Sequence, residues 1–260
     1  MTTTTSPLRW GLRWLTAGAG LAAAGYVIYV ATAWARYGHV PRPAGNEADP
    51  LLDRFMPEYE VVERHHVRIA APPAITLAAA REMDLRESRV ARAIFKGREL
   101  ILGATPEDHV RPRGLLALVQ SLGWVVLAEL PDREVVVGAV TRPWEPNPTF
   151  RGVPPEAFAA FAEPGYVKIA WTLRVDPDGP AAAIFRSETR ATATDPSARA
   201  RFRRYWSCLS PGIILIRRLM LGPLKADAER RARTGEVESA RVSARGSGSG
   251  TASCGPSAGS

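Results

Sequence analysis

Glu63 and His65 stand two residues apart in "EYEVVERHHVRIA", residues 58–70, where apolar and polar side chains alternate. A period of two marks a half-buried strand. The more apolar face carries Tyr59, Val61, Glu63, His65, Val67 and Ile69, so a carboxylate and an imidazole are expected to point inward together. Such a pair suits general acid–base work or the orientation of a polar ligand group. It suits a buried structural ion pair or hydrogen bond equally well, and the sequence leaves both readings open. His66 falls on the opposite face and His109 in a loop, both expected to be exposed. No third metal ligand accompanies them, so no metal site is expected.

A second charged stretch, "IFRSETRATATD" (residues 184–195), alternates Arg186, Glu188 and Arg190. A hairpin turn centred near Asp178 predicts Lys168 opposite Glu188 and Trp171 opposite Phe185. Lys168, Arg174, Arg186, Glu188 and Arg190 then share one face, and Trp171, Phe185, Ser187 and Thr189 the other. This reads as a solvated cross-strand ladder, each exposed pair contributing about 0.2–1 kcal/mol. The alternative makes Glu188 and Arg190 polar contacts to a headgroup or partner at the sheet edge, turned inward by a bulge.

The chain has no Gly-rich phosphate loop, no GxSxG elbow and no HExxH. Its two cysteines, Cys208 and Cys254, are too few for a disulfide framework or a zinc site. Cys208 lies among apolar residues and is expected to be a small buried hydrophobe. No cofactor is expected.

These side chains need a scaffold. With 260 residues, 46% hydrophobic and 23% charged, the chain suits one globular domain plus extensions, which excludes disorder throughout. The formal net charge of +8 favours anionic partners. Arginine abundance alongside Ala and Pro weakens that signal. "SARARFRRYW" mixes arginine with aromatics, yet its aromatic side is needed to cover a sheet, so no nucleic acid is expected.

Residues 1–14 read as a tail and 15–35 as a transmembrane helix. Leu15 to Trp34 carries no charge, and Trp10, Trp14, Tyr26, Tyr29 and Trp34 lie toward its edges. A cleaved signal peptide and a buried helix are the alternatives. As an anchor it makes the chain a single-pass membrane protein. Arginines on both sides leave its orientation open, and small residues four apart allow self-association. Residues 36–52, with "GHVPRPAGNEADP", read as a linker, 53–233 as the domain, and 234–260 as a disordered tail.

Within the domain, Pro72-Pro73 ends the first strand and opens a helix to about Met83, followed by a short helix from Ser88 to Phe95. "GRELILG" is a candidate strand. "WVVLAEL" and "REVVVGAV" form a hairpin, then a proline-rich loop leads to the hairpin "YVKIAWTLRV" and "AAAIFRSETRATAT". Asp195-Pro196 caps a helix to about Leu209 that Pro211-Gly212 breaks or kinks before "IILIRRLML" resumes it. Phe202 and Trp206 share one side of it, expected on the concave face of the sheet near Trp171 and Phe185. Arg199, Arg203 and Arg204 lie largely on the other side.

In this order of elements, and in "EYEVVERHHVRIAAPP", "WTLRV…FRSETRATATD" and "ARARFRRYWSCLSPGIILIRR", the chain resembles the START-like superfamily, also called SRPBCC, over roughly residues 57–232. The resemblance implies an α+β helix-grip fold, a curved antiparallel sheet wrapped around a long C-terminal helix. It also implies an apolar cavity between the two. Candidate lining residues are Tyr59, His65, Trp124 and Trp171, with Phe185, Phe202 and Trp206. The resemblance implies binding or transfer of a lipid or other apolar small molecule; with the anchor at residues 15–35, by which this chain departs from simple relatives, the function expected is that of a membrane-tethered domain. The alternatives are a cyclase- or hydrolase-like enzyme with His65 and Glu63 as its acid–base pair, or an interaction domain with no ligand.

Overall fold

In the computed structural model, which describes residues 7–41, 43, 45–84, 89–103 and 112–247, the alternating segment forms β1 (Val61–Ile69). Pro73 opens α3 (Pro73–Glu82), where a missing N–H loses nothing because a first-turn amide has no helical partner. The two expected hairpins form as β2 (Val125–Leu130) with β3 (Glu134–Thr141) and β5 (Val167–Pro177) with β6 (Ala183–Ala193). Between the hairpins lie a short β4 (Phe150–Arg151) and α6 (Pro155–Phe158). The chain opens with α1 (Pro7–Arg36) and α2 (Pro50–Asp53), carries α4 (Arg89–Leu102) and α5 (Leu115–Ser121) before β2, and ends in α7 (Pro196–Ser247).

The sheet is antiparallel throughout, in the order β1-β6-β5-β3-β2, with β4 added beside β3. α7 and α3 cover its inner face, giving the α+β helix-grip architecture. One apolar cluster joins Ile69, Leu173, Val175 and Phe185 to Leu77 of α3 and to Leu224 and Ala228 of α7. A separate cluster near the start of α7 joins Phe202 to Tyr37, Val61, Val167 and Ala191. The outer face has its own core, in which Leu52, Phe55, Met56 and Phe158 pack on Val136, Val140 and Ala170. Both faces of β3 are therefore buried, which explains its unbroken apolar run.

Several expectations are corrected. Lys168 pairs with Thr192, Trp171 with Thr189 and Arg174 with Arg186, because the turn lies around Pro180 and not Asp178. The slip is even, so each residue keeps its predicted face. "GRELILG" is the end of α4, since Arg, Glu and Leu propagate a helix more readily than a strand. α7 runs unbroken through Pro211 and Pro223. Packing holds the helix together where local preference opposes it. It extends to Ser247, and only residues 248–260 of the expected tail, Cys254 among them, lie outside the described residues, as do His109 and residues 1–6. Cys208 is exposed, because the apolar run around it lies on a helix with only one side against the domain.

Tyr37 and residues 46–49, within the stretch 36–52 expected as a linker, are held to the domain. Tyr37 is buried and its hydroxyl donates to Glu60 Oε2 at 2.7 Å. Asp49 is buried and caps α2 by accepting from Leu52 N at 2.8 Å. Arg174 donates to the Ala48 and Asn46 carbonyls at 2.7 and 3.1 Å.

Candidate functional site

Register on β1, β6 and β5 places a polar belt across the inner face, between its two apolar clusters. Glu63 pairs with Thr189, His65 with Ser187, and Trp171 with Thr189 from the other side. All five side chains face α7, from which Arg217 reaches down and donates to Thr189 Oγ1. Arg217 was not singled out by the sequence reading. Its signal was an arginine inside the apolar run "IILIRRLMLG", fifteen residues beyond Phe202 on the grip helix.

The electrostatics of the belt are unusual for a core. His65 Nε2 lies 3.8 Å from Glu63 Oε2, beyond hydrogen-bond range, and has no partner although it is buried. Burial pulls the His65 pKa down to about 4, and the cationic Arg217 and Arg218 push the same way, so the ring is neutral at pH 7. Burial raises the Glu63 carboxyl above its ordinary value, opposed by Arg217 and Arg218. Arg217 is lowered to about 10 by burial, with Glu63 acting in the opposite sense, and stays charged. The belt thus offers a guanidinium, a neutral imidazole with an unused nitrogen, and a carboxyl drawn toward its neutral form. It can receive a carboxylate, phosphate or carbonyl at Arg217 and a donor at His65.

Aromatic residues frame the belt. Trp171 is buried and makes an edge contact with Trp124 at 6.2 Å between ring centroids. Gly123 fixes Trp124 there: its φ is +99°, and a Cβ would overlap the Phe150 carbonyl. Phe185 lies in the cluster beneath the later part of α7, while Phe202 and Trp206 lie in the other, 6.1 Å apart. Phe202 and Trp206 thus reach the inner face as expected, but in a different cluster from Phe185 and Trp171. Phe202 is buried and Trp206 half-buried.

Tyr59, Glu188 and Arg190 are not part of this site. β1 starts at Val61, so the alternation does not extend back to Tyr59, which joins the outer-face cluster. Glu188 is 5% exposed and Arg190 fully buried, so the solvated ladder is overturned. β6 lies between β1 and β5, so neither residue is at an edge. Arg64 donates to both Glu188 oxygens at 3.0 and 3.1 Å, and Arg190 Nε donates to Oε1 at 2.7 Å. Arg190 also bonds Asp53 and the Met56 carbonyl and stacks over Tyr59 at 4.5 Å. The sequence showed the right face; it did not show that α2 and the chain after it cover that face.

An open cleft beside the start of α7, lined in part by Arg142, Trp144 and Asp195, has its polar groups engaged. Asp195 accepts from the amides of Gly165, Ser197 and Ala198, and Arg142 donates to the Gly165 carbonyl. Among the described residues no three His, Cys, Asp or Glu side chains group as metal ligands.

No protein-family model and no curated protein matches the chain. Among solved structures it is similar to the hypothetical protein jhp0584 from Helicobacter pylori, at 8% identity and a TM-score of 0.37, covering 72% of this chain and 99% of that one. It is also similar to the Zhui aromatase/cyclase from Streptomyces sp. R1128, at 12% identity and a TM-score of 0.20, covering 66% and 94%. Norcoclaurine synthase from Thalictrum flavum gives 13% identity, a TM-score of 0.22, and coverage of 66% and 98%. At these scores no ligand or reaction passes from them to this chain.

Among the described residues, α7 between Pro196 and Gly235 is long and apolar enough to cross a membrane by length and composition alone. Its packing on the sheet makes it the grip helix. The uncharged stretch of α1 projects apolar side chains outward, with Val27 64% and Ile28 67% exposed.

Proposed function

We propose that this chain is a membrane-tethered START-like domain that holds a lipid or other apolar small molecule between α7 and the inner face of its sheet. The observation that carries the reading is the Glu63, His65, Thr189 and Arg217 belt. An unpartnered imidazole nitrogen is expensive to bury, so an interior that retains one beside a half-buried guanidinium is suited to a ligand with one polar end. The apolar clusters on either side suit the rest of such a molecule. α1, with its exposed apolar side chains, supplies the tether.

A route for the ligand is also at hand. Pro211-Gly212 and Gly222-Pro223 bracket residues 213–221, the stretch of α7 that carries Arg217 over the belt. Proline removes a helical hydrogen bond and glycine lowers the barrier to bending, so this stretch is suited to lift as a unit.

The test is native mass spectrometry of the full chain, released from detergent after exposure to a lipid extract. The expected result is a retained apolar adduct that is lost in Ser187→Trp, which fills the belt. A chain that retains no adduct under any lipid, with Ser187→Trp equally stable, contradicts the proposal.

A second reading is favoured by one observation, the free Nε2 of a neutral His65 beside Glu63: proton transfer on the bound molecule. Chemical change of the retained adduct in the wild type, absent in His65→Gln, would mark it.

A further inference from the structure

Large apolar side chains are exposed at few places in this chain. Among the described residues they are Leu21, Tyr26, Val27, Ile28 and Trp34 on α1, Leu100 and Ile101 on α4, Leu215 and Leu219 on α7, and otherwise Leu122 and Leu130. All but the last two lie on α7 or on the two helices that touch it, α1 and α4. On α7, Cys208, Gly212, Leu215 and Leu219 are spaced by four, three and four residues, which makes one stripe. Cys208, Leu215 and Leu219 are exposed. Arg217 is nine residues from Cys208, which on a helix of 3.6 residues per turn is the opposite side. The stripe is therefore the outward back of the segment whose inward side carries the belt.

α4 and α1 meet this stripe. A Cβ on Gly212 would come within 2.9 Å of Ile94 Cγ2, so α4 crosses α7 there. Ile101 lies two turns beyond Ile94 on the same side of α4, yet is 70% exposed, so the end of α4 overhangs α7 with its apolar side bare. Tyr26 of α1 donates to the Cys208 carbonyl at 2.7 Å, and Tyr29 shares a hydrogen bond with Ser210 at 2.9 Å. The middle of the uncharged stretch of α1 therefore lies against the head of the stripe.

The rim is basic. α4 carries Arg89, Arg92, Lys96 and Arg98 against a single acid, Glu99. Arg92 and Lys96 are exposed, as are Arg204 and Arg218 beside the stripe. A basic amphipathic helix overhanging a bare apolar stripe has the composition that lies in a lipid interface.

We infer that α4 and the Cys208–Leu219 stripe of α7 form a second membrane contact, which seats the domain on an anionic bilayer surface. The occupant is the bilayer in which α1 is anchored, so this rests on the tether reading above. The segment that covers the belt then has lipid at its back, and a molecule entering under it passes from bilayer to groove without crossing water.

The experiment uses the full chain in vesicles of phosphatidylcholine and phosphatidylglycerol containing lipid-borne nitroxide quenchers. In a Cys208→Ser, Cys254→Ser background, an environment-sensitive fluorophore is placed at Ile101→Cys, at Leu219→Cys, or at Val27→Cys on α1. The expected result is strong lipid quenching at all three positions. At the first two it falls several-fold in neutral vesicles, in high salt, or in Arg92→Glu with Lys96→Glu. Water-exposed labels at Ile101→Cys and Leu219→Cys with a quenched Val27→Cys label leave the anchor standing and overturn the docking. Quenching at the first two without Val27→Cys supports the docking and removes the anchor. Labels shielded from water but out of reach of lipid quenchers, and sensitive to protein density, place a second copy on this face and overturn the inference.

Discussion

Two buried titratable groups, Glu134 and His65, pull stability in opposite directions with pH. Glu134, buried on the outer face against Asp49, has its pKa raised from 4.5 to about 8 by burial and by the neighbouring carboxylate. Its folded value is above its unfolded one, so folding takes up a proton, and stability falls as pH rises from 4.5 through 8. His65 is the reverse case. Its folded value of about 4 lies below the unfolded 6.5, so stability is present above 6.5 and falls as pH drops through 4. Each effect is on the order of a few kcal/mol over its full window. Urea melts across pH should show Glu134→Gln losing the alkaline decline and His65→Gln losing the acid one. A Glu134→Gln variant that keeps the wild-type decline would place the titration elsewhere. Arg190→Ala should cost about 3–5 kcal/mol, because it empties a fully buried site and takes from the buried Glu188 one of its two cationic partners, leaving Arg64 alone. Burial of Arg190 was the least legible feature of the sequence. Alternation assigns a residue to a face, but what covers that face comes from Asp53, Met56 and Tyr59, which are distant in the chain.

At the scale of elements, legibility followed how much of each decision was local. β1, the two hairpins and the capped start of α7 rest on alternation, turn residues and Asp195-Pro196, all short-range signals that agree. α7 past Pro211 and the end of α4 rest on packing between helices, which periodicity does not record. Arg217 escaped notice because an arginine in an apolar run looks the same whether it faces a groove or water. The grip of α7 predicts a ranking. Phe202 is buried, so Phe202→Ala should cost about 3–5 kcal/mol. Trp206 is only half-buried, so Trp206→Ala should cost less than Phe202→Ala. Arg203 donates to the Trp34 carbonyl at 2.7 Å and lies 4.2 Å over its ring, both at an exposed junction. Arg203→Ala should therefore cost about 1 kcal/mol or less. Denaturant midpoints of the three variants check this order, and equal midpoints for wild type and Phe202→Ala would mean that α7 does not grip the sheet.

For the whole molecule, the claim is that a tethered sheet and one long helix enclose a polar belt meant for the end of an apolar ligand. The belt, the two apolar clusters beside it, the glycine–proline pairs that bracket its cover and the apolar back of that cover all lie on or around one stretch of α7. The most direct measurement is a crystal structure of the full chain purified from membranes and supplemented with lipid extract. The account predicts elongated density between α7 and strands β1, β6 and β5, with a polar end within hydrogen-bonding distance of Arg217 or of His65 Nε2. A groove closed on its own side chains, with Arg217 and His65 satisfied only by protein or water, would contradict it.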